Sequence, residues 1–124
     1  DGGTREQRAL YVREGSPPDS AEIIADLYCP VTASADPQVR LRRLAKQIDL
    51  FATSFDCDEY LPHARAAAKI VKTDRDKRIV GGVLRDIAFC YSKREDCTTA
   101  RTILDEAKAF IPGFQTNELT AACR

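Results

Sequence analysis

The chain has 124 residues, 44% hydrophobic and 31% charged, the balance of a single soluble globular domain with enough apolar material for a core. Nineteen basic residues meet nineteen acidic ones, so the whole chain has no electrostatic pull toward nucleic acid or an anionic membrane. No apolar run approaches the roughly 20 residues of a membrane span.

The sequence begins DGGT and holds no methionine, which points to a processed precursor or an excised domain. Five cysteines, Cys29, Cys57, Cys90, Cys97 and Cys123, are scattered without a C-x-x-C pair, a pattern unlike zinc sites and thioredoxin-type redox motifs. Their number favours a disulfide-bearing secreted protein, with an intracellular domain holding buried thiols as the alternative. Five is odd, so bridging leaves one thiol over, free or paired in a homodimer.

Helical periodicity runs through the chain. Thr4 is a candidate cap for a short first helix carrying Leu10, Tyr11 and Val12, and GSPPDS (15–20) breaks it with two prolines. SAEIIADLYC starts at Ser20 and stops at Pro30. After the linker VTASAD, Asp36-Pro37 is a capping acid followed by proline at the first helical position. Leu41, Leu44, Ile48, Phe51 and Phe55 then recur at steps of three and four, one face of a long helix. Residues 56–59 interrupt it, and LPHARAAAKIVK is the next helix, with Pro62 expected in its first turn. Thr73 or Asp74 caps a helix with apolar positions Val80, Leu84, Ile87 and Tyr91; Asp96 caps CTTARTILDEAKAFI, which Pro112-Gly113 ends. Thr116 starts a last short helix. Nothing alternates with period two, so the fold class is all-α. The expected organisation is one domain: short helices and linker over 1–35, helical hairpins over 36–72 and 73–113, and a tail over 114–124.

Shifting the chain by 36 places FATSFDCDEYLPHAR over IAFCYSKREDCTTAR. The second copy resembles a tetratricopeptide (TPR) repeat, with Leu84, Ile87, Ala88, Tyr91, Ala100, Leu104, Ala107 and Pro112 at that family's signature spacings. Ile48, Phe51, Ala52, Phe55, Ala64 and Ala68 follow the pattern in the first copy, but Val71 and Asp76 depart from it. The resemblance covers residues 45–112. It implies an antiparallel hairpin array that binds a peptide or partner protein in a groove, without catalysis. By position, the groove would be lined by Lys46, Asp49, Thr53 and Asp56, and by Gly82, Arg85, Phe89 and Ser92. Asp49, Thr53, Arg85 and Phe89 stand where the family's carboxylate-clamping members carry lysine and asparagine, so that specificity is not implied. What remains is a mixed-charge groove with Phe89 as its aromatic anchor. A Cys90–Cys97 bridge would staple the second hairpin, as in secreted relatives of the family; two buried thiols are the alternative.

No catalytic constellation emerges. Cys57 and His63 lack a third group to orient the imidazole, and Asp56, Asp58, Glu59 and His63 lack a metal-ligand spacing, being better explained by helix capping. Gly81-Gly82 has no phosphate-loop lysine after it and suits close helix packing. Arg40, Arg42, Arg43 and Lys46, with Arg75, Lys77 and Arg78, could form a basic face, read here as solvated charge that balances acids elsewhere. The expectation is a non-enzymatic protein-binding module with no cofactor and no metal, and with neither nucleic acid nor membrane as partner. The alternative is a small secreted helical protein: a toxin, a host-directed effector, or a carrier with a cavity lined by Phe51, Phe55 and Phe110.

Overall fold

A computed structural model of the protein describes residues 18–51 and 54–124. The described residues form five α-helices joined by short turns, with no strand, so the fold is all-α. The helices are α1 (Pro18–Tyr28), α2 (Pro37–Leu50), α3 (Cys57–Ile70), α4 (Asp74–Lys93) and α5 (Cys97–Lys108). None is long and apolar enough to cross a membrane. The candidate helix at Thr4 lies outside the described residues.

The chain divides into two compact units, Asp1–Leu50 and Phe51–Arg124. The division falls inside 36–72, the stretch expected as the first hairpin. In the first unit, Pro18 and Pro37 each occupy the first position of a helix, where a missing N–H costs nothing. The Asp36 carboxylate accepts from the Gln38 N–H at 2.9 Å. Ala21 and Ala25 of α1 and Leu41, Leu44 and Ile48 of α2 are buried. Three cations of the basic run gather on one acid: Asp26, 3% exposed, receives Arg42 Nε at 2.5 Å, with Arg43 Nε and Lys46 Nζ each 3.6 Å away. Gln47 donates to the carbonyls of Asp26 and Cys29, tying α2 to the C-terminal end of α1, where helical carbonyls lack intrahelical partners. Cys29, in neither disulfide, is 1% exposed, so a covalent dimer through it would require this unit to open.

In the second unit, the chain turns where the long helix was expected to continue. α2 has stopped at Leu50, and the N–H groups of Ser54 and Phe55 both return to the Phe51 carbonyl at 2.8 Å. Hydroxyl residues followed by an acid favour such an end over another helical turn. Residues 56–59 begin α3 rather than interrupt the chain, because Asp56 accepts from the Asp58 N–H at 2.9 Å. Pro62 therefore lies inside α3, beyond its first turn.

α4 and α5 pack along their length. The Asp96 carboxylate caps α5, the turn at 94–96 joins the helices at one end, and Gly81 lies against Phe110 and Ile111 at the other, so they run in opposite directions. Val80, Leu84, Ile87, Ala88, Ala100, Ile103 and Ala107 have no exposed surface, and Tyr91 and Leu104 little. Each fully buried aliphatic side chain contributes about 1.5–3 kcal/mol before the entropy of ordering is subtracted. A Cβ on Gly81 would stand 2.8 Å from Ile111 Cγ1, so this glycine lets the helix approach. α4 ends with Glu95 at φ 60° and the Asp96 N–H returning to the Tyr91 carbonyl, the left-handed exit common after a helix. Beyond α5, the expected last helix is two short 3-10 turns, Thr116–Glu118 and Ala121–Cys123, and Leu119 between them is buried.

Candidate functional site

α4 carries Arg85, Phe89 and Lys93 four residues apart, a spacing that places them on one face. Phe89 is 38% exposed on a helix whose opposite side is core. Lys93 Nζ stands 5.4 Å from the centre of that ring, within cation–π range. Arg85 is held from the C-terminal side: it lies 5.4 Å from the Phe114 ring centre and 3.7 Å from Glu118, and bonds Asp86 at 3.0 Å. Beside Lys93 is an open depression of about 300 Å³, lined by Ser54, Phe55, Asp56, the Cys57–Cys90 bridge, Lys93 and Arg94. Lys93 thus belongs both to the exposed ring and to the depression.

The wall of the depression is braced by a polar cluster. Tyr91 donates to Asp58 Oδ1 at 2.5 Å, and Arg94 donates to Asp58 Oδ2 at 3.2 Å while its guanidinium lies 5.2 Å from the Tyr91 ring centre. The Tyr91 bond, then Arg94, holds the Asp58 carboxyl below its ordinary range. Burial, then the bond to Asp58, pushes the Tyr91 phenol up to about 12. Both groups hold their protonation state through the neutral range and act as struts.

The residues expected in a groove meet different fates. Lys46 is spent on Asp26, Asp49 is exposed in the first unit, and Thr53 lies outside the described residues. Asp56 lines the depression while capping α3. Gly82 has open space where a side chain would be. Ser92 is a correction: at 1% exposure it is no surface residue. Its hydroxyl donates to the Phe89 carbonyl at 2.7 Å and accepts from the Thr120 N–H at 3.1 Å, which seats the C-terminal segment. Arg85 and Phe89 remain on an accessible face.

Cys90 and Cys97 are both bridged, but not to each other. The bonds are Cys57–Cys90 and Cys97–Cys123. Cys90 is turned toward the start of α3, and Cys97, first residue of α5, toward the returning C-terminus. With Cys57 bridged, the pair of Cys57 and His63 has no thiol to act as a nucleophile. Among the described residues, no three His, Cys, Asp or Glu side chains converge as a metal set.

Sequence reasoning missed Lys93, Arg94 and the Cys57–Cys90 pairing. The signals existed: Lys93 is four residues beyond Phe89, and Cys57 and Cys90 open and close two consecutive helices, whose outer ends meet in a hairpin. What the site offers chemically is exposed apolar ring surface, two cations and a rigid disulfide floor, a set suited to holding a ligand. No family model, curated protein or solved structure matches the chain.

Proposed function

We propose that the chain is a non-catalytic binding module that holds a peptide or partner protein against the exposed face of α4, with Phe89 as the anchor. The observation that carries this is the Phe89 ring, exposed on a helix locked by a disulfide and flanked by Lys93 and the open depression. Aromatic side chains on rigid supports dominate protein interfaces, because they bury much area while losing little conformational freedom. A ligand with an apolar side chain for Phe89 and an acidic group for Lys93 complements both features. The burial of Leu84, Ile87, Ala88, Tyr91, Ala100, Leu104 and Ala107 supports reading α4 and α5 as a TPR-like hairpin, whose first helix presents its outer face to ligands.

Two disulfides are consistent with an extracellular protein, and they support placing this module among small secreted proteins that act on other molecules outside the cell. The carrier version has less support: the depression includes Phe55 but neither Phe51 nor Phe110, and Phe51 is 38% exposed.

The test is selection of displayed peptides on the oxidised protein, followed by titration against Phe89→Ala and Lys93→Gln. Enriched peptides should bind the wild type and weaken at least roughly tenfold on Phe89→Ala, the loss typical of an interface anchor. Peptides that bind Phe89→Ala as tightly as wild type would move the site elsewhere.

A further inference from the structure

The zero net charge of the chain conceals, among the described residues, a stretch whose charge is left unbalanced. Among the described residues, every lysine and arginine outside residues 69–78 has a partner in the protein: an acid, a carbonyl oxygen or an aromatic ring. Lys69, Lys72, Arg75, Lys77 and Arg78 have none, and all five are exposed. They surround the three-residue turn between α3 and α4. The acids of this stretch do not neutralise them: Asp76 is 6% exposed, with its N–H on the Thr73 cap, and Asp74 is one exposed carboxylate against five cations.

An apolar feature occupies the same turn. Ile70, the last residue of α3, is 55% exposed, and Val71 beside it is half-buried. A large aliphatic side chain thus stands exposed at the end of α3, in a stretch that carries five exposed lysines and arginines. The turn holds no aromatic residue between 69 and 78, so it lacks the stacking surfaces that nucleic-acid binders interleave with their cations. An aliphatic tip gains nothing on a polyphosphate or a sulfated polymer, yet it gains in the acyl boundary of a bilayer, while the surrounding lysines and arginines reach the headgroups.

We propose that the α3–α4 turn is a peripheral docking site for an anionic phospholipid surface, with Ile70 entering the interface and Lys69, Lys72, Arg75, Lys77 and Arg78 contacting headgroup phosphates and carboxylates. The contact is reversible and salt-sensitive, since a handful of cations and one aliphatic side chain hold a protein far more weakly than a spanning helix. It is separate from the Phe89 face and does not depend on it.

Sedimentation with vesicles tests the proposal on the oxidised protein. Equimolar phosphatidylserine and phosphatidylcholine should retain the protein at low salt, pure phosphatidylcholine should not, and retention should fall as the Debye length shortens. Lys72→Gln with Arg75→Gln should weaken binding roughly twenty- to thirty-fold, at about fivefold per cation near the surface. Ile70→Ser should weaken it several-fold with the salt dependence unchanged. Arg101→Gln with Arg124→Gln, the same charge change at the opposite end of the α4–α5 hairpin, should leave binding as it was. All these sites are at least partly exposed, and circular dichroism checks that each variant folds. Absence of retention on phosphatidylserine vesicles at low salt overturns the proposal, as does equal weakening by the two double variants. Tighter binding to heparin or duplex DNA than to vesicles, with Ile70→Ser neutral, also overturns it and assigns the turn to a soluble polyanion.

Discussion

Tyr91 donates its phenol to Asp58 at 2.5 Å, and each is the chain neighbour of one half of the Cys57–Cys90 bridge. A covalent pair and a hydrogen-bonded pair therefore stand side by side, fixing the first turn of α3 to the last turn of α4. The bridge closes a loop of 33 residues by sequence separation and the Cys97–Cys123 bridge one of 26. Loops of this length restrict the unfolded chain by about 3–4 kcal/mol each. Cys57→Ala with Cys90→Ala should lower the stability of the second unit by that amount in urea denaturation, and Cys97→Ala with Cys123→Ala by a similar one. An unchanged midpoint in either double variant would show that the bridge does not constrain the unfolded state.

The same pair of residues sets a pH dependence at both extremes. The folded phenol of Tyr91 titrates at about 12, above its ordinary 10.0, so its contribution is complete below pH 10 and is lost as pH rises from there toward 12. Asp58 is shifted the other way: its contribution is complete above the ordinary 3.8 and is lost as pH falls through the lowered folded value. In ultraviolet difference titration, Tyr91 should ionise near the top of the range, and Tyr91→Phe should remove that step. The same substitution should raise the Asp58 titration seen by NMR, since its largest stabilising contact is gone. An Asp58 titration unmoved in Tyr91→Phe would mean that Arg94 alone holds the carboxylate.

Adjacent glycines of α4 should respond with opposite sign. A Cβ at Gly81 meets Ile111 at 2.8 and 2.9 Å and Phe110 at 3.1 Å, whereas one at Gly82 meets nothing within 4 Å. Gly82→Ala should stabilise the protein by about 0.5–1 kcal/mol through reduced backbone freedom in the unfolded chain. Gly81→Val should destabilise it by about 1–3 kcal/mol through overpacking. Thermal melts of the two variants decide the matter, and shifts in the same direction would contradict the packing described here.

Asp26 is the acid that the buried Arg43 faces, at 3.6 Å, and both side chains are under a tenth exposed. Asp26→Ala should cost about 3 kcal/mol, chiefly by leaving the Arg43 guanidinium without its counter-charge. Asp26→Leu combined with Arg43→Met should recover most of that loss, because a buried ion pair is replaceable by apolar side chains of similar volume. A double variant as unstable as Asp26→Ala alone would assign the loss to the remaining partners, Arg42 and Lys46.

How much of this was legible in the sequence depends on the range of the interaction. The step of three and four marked Val80, Leu84, Ile87 and Tyr91, and all are buried; the capping roles of Asp36, Thr73 and Asp96 were equally local. The end of α2 at Leu50 was not legible, because Phe51 and Phe55 continue the apolar period even though the backbone turns there. Ser92 followed the helical spacing of a groove residue, but spacing cannot register that Thr120, 28 residues further on, folds back to bond it. The same return of the C-terminus pairs Cys97 with Cys123. For the basic run, composition left the partner unnamed; the fold supplies Asp26, on another helix.

The two bridges share a property that follows from where they sit. Cys57–Cys90 lies wholly before the turn at 94–96, and Cys97–Cys123 wholly after it. No covalent cross-link crosses that exposed turn, so α4 and α5 are held to each other by packed side chains and one stretch of backbone. A single backbone cut between Arg94 and Glu95 would yield two pieces, each keeping its own closed loop, that part in denaturant without any reducing agent. The second unit is thus built as two separately cross-linked halves that meet through packed side chains, the Ser92–Thr120 hydrogen bonds and the Arg65–Glu106 and Arg85–Glu118 ion pairs, and it is a natural candidate for reassembly from two chains expressed apart.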